Sequence, residues 1–147
     1  MKRNQARQIA VRLCYSFNFE ACDIYETTES FFSEEHYNSL AAEDELFAEF
    51  PDEKQLSYIK ALVIGVAENS VFLDNKLQEY SNGWKIERLS KTALAVLRCA
   101  VYEMLYMDDI DISVSINEAV EISKLFDTEE TTAYINGVLG SIARSLG

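Results

Sequence analysis

Cysteine, histidine, proline and glycine are all scarce here: 147 residues include 3 Cys, 1 His, 1 Pro and 5 Gly. Cys14, Cys22 and Cys99 are odd in number and form no Cys-x-x-Cys pair, and His36 is alone, so neither a disulfide framework nor a Cys/His metal site is expected. The three cysteines read as small apolar packing residues. No Gly-x-Ser-x-Gly, no His-Glu-x-x-His and no glycine-rich phosphate loop occurs, so nothing supplies a nucleophile with an adjacent base. No enzyme, cofactor or metal is expected. Paired acids such as Glu34–Glu35 and Asp108–Asp109 are the ordinary surface of so acidic a chain. Long hydrophobic runs are missing too, since the stretch around Leu62 to Ala67 is well short of the roughly 20 residues that cross a bilayer. Asn4, Gln5, Arg7, Gln8 and Arg12 interrupt the start, which excludes a secretory signal and leaves the cytoplasm as the expected location.

What is present is apolar material for a real core, 48% of the residues in a chain the size of one domain. Disordered and fibrous classes are thereby excluded. The net charge of −12 is unevenly spread. Residues 1–12 hold Lys2, Arg3, Arg7 and Arg12 with no acid, while residues 20–53 hold twelve acids and no Lys or Arg. A polyanion is attracted to the first segment and repelled by the second, because each field acts within about 8–10 Å in ordinary salt.

Hydrophobic spacing is helical throughout. Ala6, Ile9, Ala10, Leu13 and Phe17 line one face of a helix over 3–19, with the cations, Asn4, Gln8 and Tyr15 on the opposite arc. Between Ala21 and Pro51 the pattern weakens to one or two short helices anchored by Phe31, Phe32, Tyr37, Leu40, Leu46 and Phe47. From Asp52 a three-to-four-residue repeat through Leu56, Ile59, Val66, Leu73 and Leu77 predicts one long helix to Tyr80, stopped by Ser81-Asn82-Gly83. Gly65 within it points to close helix packing. Lys91 to Met107 is apolar nearly all round and belongs at the centre of a bundle, with Arg98 paired to a carboxylate such as Glu103, Glu118 or Glu121. Ser115-Ile-Asn-Glu118 fits a capping box for a helix to Phe126, and Asp127 with Glu130 fits the start of a last helix whose inner face is Ile135, Val138, Leu139, Ile142 and Leu146. No alternating strand pattern and no repeat occurs. The expected fold is therefore an all-α bundle of six or seven helices.

Two places combine cations with aromatic rings, the pairing that unstacked RNA requires. The first is Lys2, Arg3, Arg7 and Arg12 with Tyr15 on the outer face of the first helix. The second is Lys85, Arg88 and Lys91 following Tyr80 and Trp84 at the break after the long helix. Trp84 reads as packing an inter-helix corner, and Asn117 and Asn136 as amides bonded to neighbouring loops.

Several elements occur in a recognisable order: Trp84-Lys-Ile-Glu-Arg-Leu89, Leu97-Arg-Cys-Ala-Val-Tyr-Glu103, Val114-Ser-Ile-Asn-Glu-Ala-Val-Glu121, then Tyr134-Ile-Asn-Gly-Val-Leu139. With Arg3-x-x-Ala6-Arg7-x-x-Ala10, Leu13 and Tyr15 they resemble the NusB family of bacterial transcription antitermination factors over all but about residues 21–53. The resemblance implies a single domain over 1–147 with two helical subdomains, approximately 1–80 and 81–147. It implies binding of the boxA element of nascent RNA together with NusE, a small-subunit ribosomal protein, within an RNA polymerase antitermination complex that reads through terminators, notably in ribosomal RNA operons. It adds Tyr134 to Lys2, Arg3, Arg7, Arg12, Tyr15, Tyr80, Lys85 and Arg88 as RNA-contacting residues. Asp111 stands where the family usually has a proline; with Asp108 and Asp109 it is a candidate surface for a basic partner. A homodimer of the free protein is a further expectation. The alternatives are a protein-only interaction module, or an RNA-handling accessory domain of the kind fused ahead of an RNA methyltransferase.

Overall fold

A computed structural model describes all 147 residues. It holds eight α-helices and no strand: α1 (Arg3–Ser16), α2 (Ile24–Phe31), α3 (Glu34–Leu40), α4 (Glu53–Glu68), α5 (Ser70–Glu79), α6 (Lys91–Tyr106), α7 (Ile112–Ser123) and α8 (Glu129–Leu146). Short 3-10 turns cover Glu45–Phe47 and Ile86–Arg88. The chain divides into two compact units, Met1–Ala67 and Glu68–Gly147. The additional helix comes from the segment expected to run unbroken to Tyr80. It stops at Asn69 (φ −115°, ψ 17°), and α5 starts afresh. The apolar spacing continues across the break from Val66 to Leu73, so periodicity alone gives no sign of it. The division accordingly lies at residue 67 rather than near 80. No single helix is long and apolar enough to cross a membrane.

In the first unit, α1 buries Ala6, Ile9, Ala10, Leu13 and Cys14 and ends three residues before the expected 19, where Phe17 turns extended. Beyond it the acid-rich stretch has too few aliphatic residues for a helical stripe, and it is organised by caps and rings instead. The Asp23 carboxylate accepts the Tyr25 and Glu26 N–H groups at the start of α2, and the Ser33 hydroxyl accepts that of His36 at the start of α3. Tyr37 is wholly buried, its ring centroid 4.9 Å from Phe50, 5.6 Å from Phe47 and 5.9 Å from Phe32. Its hydroxyl donates to the Glu49 carbonyl at 2.9 Å. α4 buries Tyr58, Ile59, Leu62, Val63 and Val66, with Gly65 buried among them.

In the second unit α6 is the central helix, packed against α5, α7 and α8, with α7 also on α8. It buries Ala93, Val96, Leu97, Ala100, Val101 and Met104. Arg98 donates twice to Asp74 of α5, both bonds 2.7 Å, a carboxylate the sequence reading had not singled out. α7 begins at Ile112, so Ser115 does not cap it: that hydroxyl is buried and donates to Glu103 at 3.0 Å. The Ser-x-x-Glu spacing mimics a cap only because a helical Ser three residues from a Glu has the same pattern. The cap of α8 is Thr128, which accepts the Thr131 N–H, one residue after the expected Asp127. Ile135, Val138, Leu139 and Ile142 form its buried face as expected, while Leu146 is exposed.

Burial, with a smaller contribution from the nearby Glu49 charge, pushes the Tyr37 phenol up to about 12. Its folded pKa thus exceeds the unfolded value near 10, so the stability it contributes is complete below pH 10 and disappears as pH rises toward 12. Tyr37→Phe is expected to cost roughly 0.5–1.5 kcal/mol at pH 7 and to flatten the loss of stability between pH 10 and 11, measured by urea unfolding.

Candidate nucleic-acid interface

The first unit carries its cations on α1 and holds most of them in place. Arg3 lies over the Tyr58 ring at 4.0 Å and donates through Nε to the Gln55 side-chain oxygen at 2.8 Å. Arg7 faces the same ring at 5.6 Å but is only 4% exposed. Its expected place on the outer face is therefore corrected. Positions 3, 7, 10 and 14 follow one line along a helix, and Ala10 and Cys14 on that line are buried, so Arg7 borders the apolar stripe. Arg12 is half-buried, 3.0 Å from the Asp44 carboxylate and within 6 Å of the Tyr15 and Phe47 rings. The Leu46 N–H, and after it Arg12, hold Asp44 below the usual carboxylate range. Lys2 is exposed, and Tyr15 is half-buried. The Met1 ammonium meets Glu49 at 3.0 Å and Asp52 at 3.4 Å, which raises its pKa, chiefly through the Glu49 bond.

The second unit builds a different arrangement around the turn after α5. Asn82 (φ 48°) and Gly83 (φ 88°) both take the left-handed conformation, which Asn and Gly tolerate best. The Gln78 side chain spans the turn, donating to the Trp84 carbonyl at 2.7 Å and accepting the Ile86 N–H at 3.1 Å. Ser81 is buried and donates to the Leu77 carbonyl, so the 2.6 Å contact between its oxygen and the Tyr134 hydroxyl has the tyrosine as donor. The Tyr134 ring stacks on Trp84, centroids 4.6 Å apart and planes at 27°. Trp84 is therefore no buried corner residue, being 40% exposed. Lys85 and Arg88 are exposed and, with Gly83, Trp84 and Leu89, line a cavity of about 400 Å³. Tyr80 caps α5, with the Lys76 ammonium 5.5 Å from its ring.

Asp108, Asp109 and Asp111 are exposed together in the link between α6 and α7. Asn117 and Asn136 are exposed on a groove of about 550 Å³ between α7 and α8, with Glu121, Lys124 and Asp127. Sequence reasoning missed Tyr58 and Gln78. A tyrosine on an aliphatic stripe and a glutamine at a helix end carry no signal of what they will hold.

The NusB family model matches residues 4–144. The chain belongs to the NusB family. Proteins called "Transcription antitermination protein NusB" from Thermoanaerobacter sp. (strain X514) and Ruminiclostridium cellulolyticum are 37% and 39% identical to it. The first match covers 100% of this chain and 94% of the relative, the second 98% and 90%. Among solved structures, T. maritima NusB is 29% identical at a TM-score of 0.67, covering 98% of this chain and 92% of that one. The solution structure of NusB from Aquifex aeolicus, 20% identical with a TM-score of 0.70 over 99% of this chain and 90% of that one, shares the fold. The name these relatives carry is that of a transcription antitermination protein and not of an enzyme.

The buried position gives Arg7 a structural role that Lys2 lacks. Arg7→Ala is expected to lower stability by about 1–3 kcal/mol and Lys2→Ala to stay within roughly 0.5 kcal/mol of the parent in urea unfolding. Equal losses would remove the distinction.

Proposed function

We propose that this NusB-family chain is an RNA-binding transcription antitermination factor, binding the boxA element of nascent RNA together with the small-subunit ribosomal protein NusE in the cytoplasm. As part of the RNA polymerase antitermination complex it favours read-through of terminators, notably in ribosomal RNA operons. The observation that carries this reading is the match to the NusB family over nearly the whole chain. The distribution of cations supports it, since in a chain of net charge −12 they accompany rings at two places. In this reading Lys2, Arg3, Lys85 and Arg88 take phosphates, with Arg12 contributing less because Asp44 holds it. Tyr15, Tyr80 and Tyr134 are the rings available to bases, and Arg7 supports Tyr58 and the start of α1 rather than touching RNA. Asp108, Asp109 and Asp111 offer the basic ribosomal protein a surface of opposite charge.

The burial of Arg7 and the pairing of Arg12 favour one second reading, a protein-only module. The two are separated by fluorescence anisotropy of a labelled boxA RNA titrated with the protein, with and without the ribosomal protein, against a scrambled RNA. Antitermination requires boxA selectivity that the partner strengthens, with a log–log salt slope of about −2 to −3 from three or four phosphate contacts. Absence of selectivity even with the partner leaves protein-only assembly.

A further inference from the structure

Trp84 is the only tryptophan of the chain, and its side chain is 40% exposed although nothing about it is loose. One ring supports it, that of Tyr134, which is itself tied through its hydroxyl to buried Ser81. Gln78, from the end of α5, ties down the backbone after the turn at two points, the Trp84 carbonyl and the Ile86 N–H. A Cβ placed at Gly83 would meet nothing within 4 Å, so the left-handed turn and not crowding accounts for the glycine. A large apolar ring held rigid yet half in water is poorly used as core, and a surface ring of this kind marks a contact site.

The surroundings indicate what the contact is. Between residues 76 and 91 four cations, Lys76, Lys85, Arg88 and Lys91, face two carboxylates, Glu79 and Glu87, a positive local balance in a strongly acidic chain. Of these, Lys85 and Arg88 line the cavity that the indole also lines. The ion pairs of this unit engage Arg98 and Lys124 and leave Lys85 and Arg88 to solvent. A flat ring with cations next to it suits a base with its own phosphates, and only an unpaired base has a face to offer.

We propose that Trp84, backed by Tyr134, is the platform on which one unpaired RNA base stacks, with Lys85 and Arg88 holding the adjacent phosphates. This rests on the RNA-binding reading above and adds to it a residue whose ring, rather than that of Tyr134, meets the base. Tyr134 is then a positioning residue that sets the indole plane.

Because Trp84 is the sole tryptophan, its emission reports on this site directly. The full-length protein is titrated with boxA RNA while tryptophan emission is followed, and affinity is measured in parallel by anisotropy of the labelled RNA. The expected result is saturable quenching with the same midpoint as the anisotropy. Trp84→Ala is expected to weaken binding about five-fold or more, and Trp84→Phe less, since a ring remains. Lys85→Ala and Arg88→Ala should each make the salt slope shallower by roughly 0.7. Anisotropy that reports binding with unchanged emission, and with Trp84→Ala binding as the parent does, overturns the platform and leaves the RNA reading intact. An absence of binding in anisotropy, with or without the ribosomal protein, overturns both. Quenching by the ribosomal protein alone that RNA does not increase assigns the indole to a protein interface, and also overturns the platform.

Discussion

The separation of charge along the chain is the constraint on which the rest of this structure depends. A protein of net charge −12 can attract a polyanion only if its cations are grouped and its acids are kept more than a screening length of about 8–10 Å from them or neutralised. The segment 20–53 meets that condition partly by pairing. Asp44 is taken up by Arg12, Glu29 by Lys60, and Glu49 and Asp52 by the Met1 ammonium. Other acids of the segment, Asp23 and Glu34 among them, stand at helix starts, where their charge favours the helix dipole. The acids thus serve the local structure of the first unit.

Each unit holds its cations by a different device. In the first, the Tyr58 ring and Gln55 fix Arg3, with Arg7 buried behind, so the Arg3 guanidinium has little side-chain freedom left to lose on binding. In the second, the rings are held and the cations beside them are exposed: Gln78, Ser81 and Tyr134 determine where Trp84 lies, and Lys85 and Arg88 face solvent.

Much of the architecture was legible because apolar spacing is a direct record of burial. The faces of α1, α6 and α8 could be read at residue level, down to Ile135, Val138, Leu139 and Ile142. What failed did so for local reasons. The break at Asn69 leaves the apolar phase intact, and the Ser115–Glu118 spacing fits a cap and a helix interior alike. At the site, the types of residue were readable but not their exposure. Arg7 and Trp84 exchange the roles that polarity suggests: the guanidinium is 4% exposed beside Tyr58, and the indole is 40% exposed over Tyr134. Such exchanges arise where a polar group finds a ring or carboxylate within the fold, an event decided by tertiary contacts and not by the amphipathic pattern.

The central claim is that RNA meets the two cation-bearing segments and avoids the acidic one. Amide hydrogen exchange of the intact protein with and without saturating boxA RNA measures this along the whole chain. The account predicts slowed exchange near the start of α1, through residues 76–91 and around Tyr134, with 20–53 unchanged. Protection within 20–53, or none in either cation-bearing segment, would contradict it.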